Sequence, residues 1–199
     1  MSKTLKTIDN EECVNFLHFI RNDSNFQSNE DIRVRNLCMC LLMLDAGLRV
    51  GELVQLHATD LFMFGQPVDA LDIRAEISKS KRSRVLPLSN RLRECIQSVH
   101  SRIWVLSAPL GIRFAFHTFV PNAHITPRQV QRIIEGASLC SLGRKITPHS
   151  LRHTFATRVM RTSNIRIVQE LLGHRSISTT QIYTHPGRDD LKNAIQSLT

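Results

Sequence analysis

Hydrophobic positions recur every three to four residues along most of this chain; only across residues 61–88 does the spacing shorten to alternate positions. The first helical stretch, residues 9–22, opens with Asp9 and Glu12 at capping-box spacing and carries Val14, Phe16, Leu17 and Ile20 on one face. A polar loop follows. A second helix over residues 30–45 is apolar around much of its C-terminal half, as a central core helix is, and Gly47 ends it. After the Ala46-Gly47 break, LRVGELVQL predicts a short helix over residues 48–56.

Residues 61–64, 70–77 and 84–88 predict three short strands, the last two joined by the polar, basic tip Ser78-Lys79-Ser80-Lys81-Arg82-Ser83. Ser89 is a cap for a helix reaching Ser107, and Thr126-Pro127 and Thr147-Pro148 each place an N-cap before a proline at the first helical position. Further helices are expected near Asn164, ended by Gly173, and near Ser178. Phe114, Phe116 and Phe119 read as core. With no internal repeat and no Pro-, Gly- or Ser-rich linker, residues 1–199 predict one α+β domain, mostly helical, with a small three-stranded antiparallel sheet.

Composition narrows the function classes. Apolar residues make up 42% and charged residues 22%, which excludes collagen-like, low-complexity and wholly disordered chains. The longest strongly apolar run, LCMCLLML at residues 37–44, is far short of the roughly 20 residues of a membrane span, and MSKTLKTIDN lacks a signal-peptide apolar stretch; a cytoplasmic protein is expected. Cysteines at 13, 38, 40, 95 and 140 form no C-x-x-C pair, so neither a disulfide framework nor a zinc ribbon is indicated. The net charge is +9, and its distribution says more: residues 77–175 hold 17 bases and only 3 acids, so the rest of the chain is net acidic. So segregated a field repels itself unless a polyanion relieves it, which points to nucleic acid.

Within that segment, His149 and Arg152 lie three apart on one face near a helix N-terminus, where backbone N–H groups already favour an anion. His149 and His153 have the i,i+4 spacing of a helical metal pair, but no glutamate stands where H-E-x-x-H chemistry needs it, and no metal is assigned. Arg49 precedes Glu52 by three residues, which suits a surface ion pair; its place just after a core helix and a turn glycine argues instead for a fixed, directed guanidinium.

Taken in order, Arg49 in GLRVGEL, Lys79 in ISKSKRSRVLPL, His149 and Arg152 in ITPHSLRHTFAT, and His174 and Tyr183 in LLGHRSISTTQIYTH resemble the active site of the tyrosine recombinases, the phage integrase family. The resemblance spans roughly residues 5–188. It implies metal-free, cofactor-free breakage and rejoining of double-stranded DNA through a 3′-phosphotyrosyl intermediate. Arg49 and Arg152 would clamp the nonbridging oxygens, His174 would donate to them, His149 would take the proton of Tyr183, and Lys79 would protonate the leaving 5′-oxygen, with Lys81 as its rival. Glu52 is expected to orient Arg49 or its helix, and His153 to position neighbours or touch DNA. The expected DNA contacts are Lys81, Arg82 and Arg84 in the hairpin and Arg128, Arg132, Arg144, Lys145 and Arg175 beyond it.

Most family members carry a helical DNA-binding domain before the catalytic one, and Arg49 comes too early for that arrangement. The chain therefore resembles either an excised catalytic domain or the short recombinases that invert fimbrial promoter switches; Met1 and the compact start favour the short form. A tetramer on paired sites, and a monomer or weak oligomer without DNA, would follow. A type IB topoisomerase or a DNA-binding regulator with the same fold are the alternatives.

Overall fold

The computed structural model describes residues 7–107, 113–118, 123–174, 176, 179 and 180. α1 (Asn10–Asn22) opens with the expected capping box: the Asp9 carboxylate accepts the Glu12 N–H at 2.8 Å, and the Glu12 carboxylate accepts the Asp9 N–H at 3.1 Å. α2 (Glu30–Asp45) starts on Asn29, whose side chain accepts the N–H groups of Asp31 and Ile32. Every residue from Asn36 to Leu44 is buried, so α2 runs through the centre of the core rather than along its surface. It is flanked by α1, by α5 (Asn90–Val99) and by α8 (Pro148–Thr162), while α7 (Pro127–Leu142) packs on α1.

Beyond Gly47, which takes φ +65°, the short helix is confined to α3 (Val50–Leu53), and α4 (Ala58–Leu61) follows His57. The expected three-stranded sheet is instead two separate antiparallel pairs: β1 (Phe62–Met63) with β2 (Gln66–Pro67), and β3 (Ala70–Ile73) with β4 (Arg84–Pro87). Two local causes account for this. Phe64 and Gly65 both adopt positive φ, so β1 turns back at once onto β2. The chain turns over residues 75–77, where the Ser78 N–H donates to the Arg74 carbonyl at 3.2 Å, so β3 stops at Ile73 rather than reaching residue 77. In the second pair, Leu71, Ile73, Arg84 and Leu86 face inward and Val85 faces solvent.

Ser89 caps α5 as expected, but the helix does not run uniformly to Ser107. It widens into a π-helical turn at His100–Trp104 before α6 (Val105–Ser107), where His100 stacks on Phe62 with ring centroids 3.6 Å apart and Trp104 Nε1 donates to the Ala115 carbonyl at 2.8 Å. α7 and α8 begin at the Thr126-Pro127 and Thr147-Pro148 caps, and α9 (Ile165–Leu172) runs from the Asn164 cap to Gly173. Phe116 is core and Phe114 half-buried; Phe119 and the helix expected near Ser178 lie outside the described residues. Cys13, Cys38, Cys40 and Cys95 are buried and Cys140 is exposed. Among the described residues no helix is long and apolar enough to cross a membrane.

Candidate active site

Three helix-bounding turns bring the charged residues together. The first is at Gly47, where a side chain is excluded twice: by φ +65° and by the Phe155 ring, 2.4 Å from where a Cβ would sit. This close approach of α2's end to α8 delivers Arg49 to the N-cap of α3. There the Glu52 carboxylate accepts both the Arg49 backbone N–H at 2.9 Å and its Nη1 at 3.0 Å. Arg49 keeps 25% of its side chain exposed, so its guanidinium is tethered at one nitrogen and open at the rest.

The second turn begins α8. Pro148 is buried, His149 faces outward and Arg152, one turn on, is only 2% exposed. The Arg152 guanidinium donates Nη1 to the Gly47 carbonyl and Nη2 to the Leu172 carbonyl, the latter at 2.7 Å. The third turn closes α9: Gly173 adopts φ +62° and the His174 N–H returns to the Gln169 carbonyl at 3.1 Å, a Schellman-type end that fixes the imidazole. His174 Nδ1 lies 3.0 Å from Thr180 Oγ1, and its Nε2 lies 3.5 Å from Arg152 Nη2.

Arg49, Lys79, His149 and Arg152 line one cavity of about 390 Å³, floored by Leu48, Gly51 and Glu52. Lys79 is exposed between two buried serines, Ser78 and Ser80, whose hydroxyl oxygens are 2.9 Å apart. This contact braces the hairpin tip on either side of the exposed lysine. A second groove of about 650 Å³ adjoins at His149 and Pro148 and is lined by Arg128, Gln131 and Arg132 of α7. Glu135 of α7 also lines this groove, but cations outnumber carboxylates along the opening from the hairpin to α7.

The imidazoles respond to that field. Desolvation in the cavity wall and the charges of Arg152, Arg49 and Lys79 lower the pKa of His149, leaving it a neutral base at pH 7. Burial, His149 and Arg152 bring His153 down to about 4, with the two rings 4.0 Å apart, edge to face. Burial and the cations Arg152, Arg49 and Arg84 bring His174 to about 4 as well. A neutral His174 therefore faces Arg152 until an anion enters. Burial alone would raise the Glu52 carboxyl, but the hydrogen bonds and charge of Arg84, the Arg49 N–H and the charge of Arg152 outweigh it and hold Glu52 ionised.

One expected DNA contact, Arg84, is corrected, and another, Arg144, is paired within the protein. Arg84 is no surface cation: it is bidentate to Glu52, at 2.9 and 2.7 Å, and donates Nε to the Leu171 carbonyl at 3.0 Å. Arg144 binds Glu12 at 2.7 to 2.9 Å and the Thr7 carbonyl at 3.1 Å, fastening the α7–α8 connection to α1. Charge counting treats every arginine as exposed, whereas Arg84 shares a strand face with buried Leu86, and that alternation marks it as inward. Lys81, Arg82, Arg128, Arg132 and Lys145 are exposed. Tyr183 and Arg175 lie outside the described residues. The carbonyls of Gly47 and Leu172 and the Thr180 hydroxyl have no signal in the sequence pattern.

A sequence profile of the phage integrase family matches residues 6–189. A tyrosine recombinase of Pseudothermotoga lettingae is 33% identical over 166 residues, covering 82% of this chain and 54% of that protein. Tyrosine recombinase XerC of Azotobacter vinelandii is 36% identical over 156 residues, covering 76% and 48%. The chain thus spans about half the length of the curated relatives it matches. Among solved structures, XerH site-specific recombinase bound to palindromic difH substrate superimposes with a TM-score of 0.77 at 26% identity, covering 97% of this chain and 53% of that one. The catalytic domain of bacteriophage HP1 integrase, at 19% identity, shares the fold with a TM-score of 0.61 and is covered over 94% of its length. The profile takes in every motif from the Arg49 turn to Tyr183, and with it the chain belongs to the phage integrase family of tyrosine recombinases.

Proposed function

We propose that the protein is a site-specific DNA recombinase that cleaves and rejoins duplex DNA through Tyr183. The observation that carries this reading is the convergence of Arg49, Lys79, His149 and Arg152 on one cavity, with His174 against Arg152. Arg49 and Arg152 suit the nonbridging oxygens of a phosphodiester, since a guanidinium binds them bidentately and keeps its charge. His149, neutral at pH 7, takes the phenol proton as the Tyr183 oxygen bonds to phosphorus. The bond from phosphorus to the 5′-oxygen breaks, and Lys79 gives that oxygen a proton. A 3′-phosphotyrosyl bond and a free 5′-hydroxyl result, and attack by another 5′-hydroxyl reverses the step without ATP. Lys81, Arg82, Arg128, Arg132 and Lys145, outside the cavity, supply phosphate contacts, as does Arg175, and two sites are paired in a tetramer.

The test is covalent capture. The 199-residue chain is incubated with nicked duplexes carrying a randomised window, and adducts surviving denaturation are sequenced and digested to peptides. Because the chain has one tyrosine, the DNA remnant is expected on the peptide holding Tyr183, with capture unaffected by EDTA. Tyr183→Phe is expected to abolish the adduct while leaving duplex affinity nearly intact. Attachment through serine, or adducts from Tyr183→Phe, would overturn the reading. Exchange that needs two copies of the recovered site separates recombination from single-site relaxation.

A further inference from the structure

The Glu52 carboxylate sits at the centre of a network that the cleavage scheme does not use. It accepts four hydrogen bonds: two from Arg84, at 2.9 and 2.7 Å, one from the Arg49 N–H and one from Arg49 Nη1. A buried carboxylate facing Arg49 alone would form a neutral pair and draw that guanidinium inward. With Arg84 as second partner the trio keeps one positive charge. The excess belongs to Arg49, because the side chains of Glu52 and Arg84 are 1% and 4% exposed against 25% for Arg49.

Arg84 also reaches the other side of the site. Its Nε donates to the Leu171 carbonyl at 3.0 Å, and Arg152 donates to the next carbonyl, Leu172, at 2.7 Å. Both guanidiniums thus grip the C-terminal end of α9, where the helix dipole favours cations. The turn carrying His174 begins immediately after, and Gly173 packs against the Arg84 side chain so closely that a Cβ would lie 3.1 Å from its Cδ. Arg152 meanwhile holds the Gly47 carbonyl, two residues before Arg49. The contacts close a ring: Arg49, Glu52, Arg84, the end of α9, Arg152 and Gly47.

We propose that Arg84 is a positioning residue for phosphodiester cleavage, its guanidinium offsetting Glu52 so that the Arg49 cation stays available to phosphate and tying the His174 turn to the same frame. The inference rests on the recombinase reading. Arg84 does not touch DNA; it acts through Glu52 and Arg49.

The experiment uses the 199-residue chain and the site recovered by covalent capture, made with either a normal scissile phosphate or a methylphosphonate, which is neutral and needs less cation. Adduct formation is followed in single turnover at saturating protein. Arg84→Met is expected to slow cleavage of the phosphodiester about 100-fold, and of the methylphosphonate by about tenfold less. Arg84→Lys keeps the charge without the fork and should fall between. Arg84→Met combined with Glu52→Gln removes the buried carboxylate that Arg49 would otherwise neutralise alone, guards against misfolding, and should regain about tenfold over Arg84→Met alone. A wild-type rate for Arg84→Met, or equal losses on the two substrates, would overturn the proposal. A second measurement needs no DNA: because Arg84 is among the cations facing His174, the His174 titration followed by NMR should move upward in Arg84→Met, and an unmoved titration overturns the frame. If the wild-type chain forms no adduct, the recombinase reading fails by itself and the titration still decides the place of Arg84.

Discussion

Lys79 and Lys81 stand two residues apart on the same tip, and their settings separate them. Lys79 is held between Ser78 and Ser80 and lines the cavity with His149 and Arg152, whereas Lys81 takes φ +56° on the outer turn. If Lys79 protonates the leaving oxygen, replacing the bridging 5′-oxygen with sulfur removes the need for that proton. Lys79→Ala should then recover most of a loss of about 10²- to 10⁴-fold, while Arg152→Ala should not. Equal impairment on oxygen and sulfur substrates would remove Lys79 as the acid, and rescue of Lys81→Ala would transfer the role. The histidines supply a second test at this scale. His153 is held neutral with a pKa of about 4, below the value near 6.5 of an unfolded chain. Between those values the unfolded state binds the extra proton, so the stabilisation is complete above pH 6.5 and is lost as pH falls toward 4. The loss for His153 is on the order of 3 kcal/mol at the low end, with His174 acting in the same direction. Melting temperature should therefore fall between pH 7 and 4.5, and His153→Asn should flatten that slope.

At the level of elements, the site is an assembly of helix ends. α2 ends two residues before Gly47, Arg49 caps α3, α8 begins one residue before His149, and Gly173 caps α9, so Arg49, His149 and His174 are placed by helix ends, with Arg152 one turn inside α8. The two glycines of the first turn test this. Gly47→Ala meets both a positive φ and the Phe155 ring, and should cost about 2–4 kcal/mol, lowering the melting temperature by roughly 5–15 °C. Gly51 has open space around its Cα and an ordinary helical conformation, so Gly51→Ala should be neutral or stabilising by up to about 1 kcal/mol. Thermal denaturation of both variants checks the contrast, and equal melting temperatures would mean that the α2–α8 approach at Gly47 is not what fixes Arg49.

For the whole molecule, the charge segregation becomes a surface property once the buried Arg84 is withdrawn from it and Arg144 is paired with Glu12. Among the exposed cations, Lys81 and Arg82 lie on the hairpin, Lys145 on the connection to α8, and Arg128 and Arg132 on α7, where they line the groove adjoining the cavity. Duplex affinity should fall with salt at a log–log slope of about −0.9 for each phosphate neutralised. Paired charge reversals at Arg128 and Arg132 should make that slope about two units shallower, whereas Arg144→Ala should leave the slope unchanged and lower stability through loss of the Glu12 tether. Filter binding across a salt series measures both. A flat salt dependence would contradict a phosphate-bound surface.

The sequence by itself determined the starts of six helices, because capping is a local bargain between one side chain and the N–H groups two or three residues on: Asp9, Asn29, Ser89, Thr126, Thr147 and Asn164 all cap helices, whereas α3 and α4 start elsewhere than the pattern over residues 48–56 predicts. The family motifs were legible for the same reason, each being a contiguous word around a turn, and so was the burial of α2 in its apolar run. What only the tertiary structure decided were the pairings across sequence distance. Whether residues 61–88 form one sheet or two depended on which strands paired, and whether Arg84 faced DNA or the core depended on Glu52, which is 32 residues away. A guanidinium's charge is fixed by its covalent structure, but its partner is fixed by the fold, because desolvating a charge is tolerated only where an opposite charge and carbonyls are already in place. The same condition, met by Gly47 and Leu172 for Arg152, made a buried arginine out of one that local spacing presents only as the neighbour of His149.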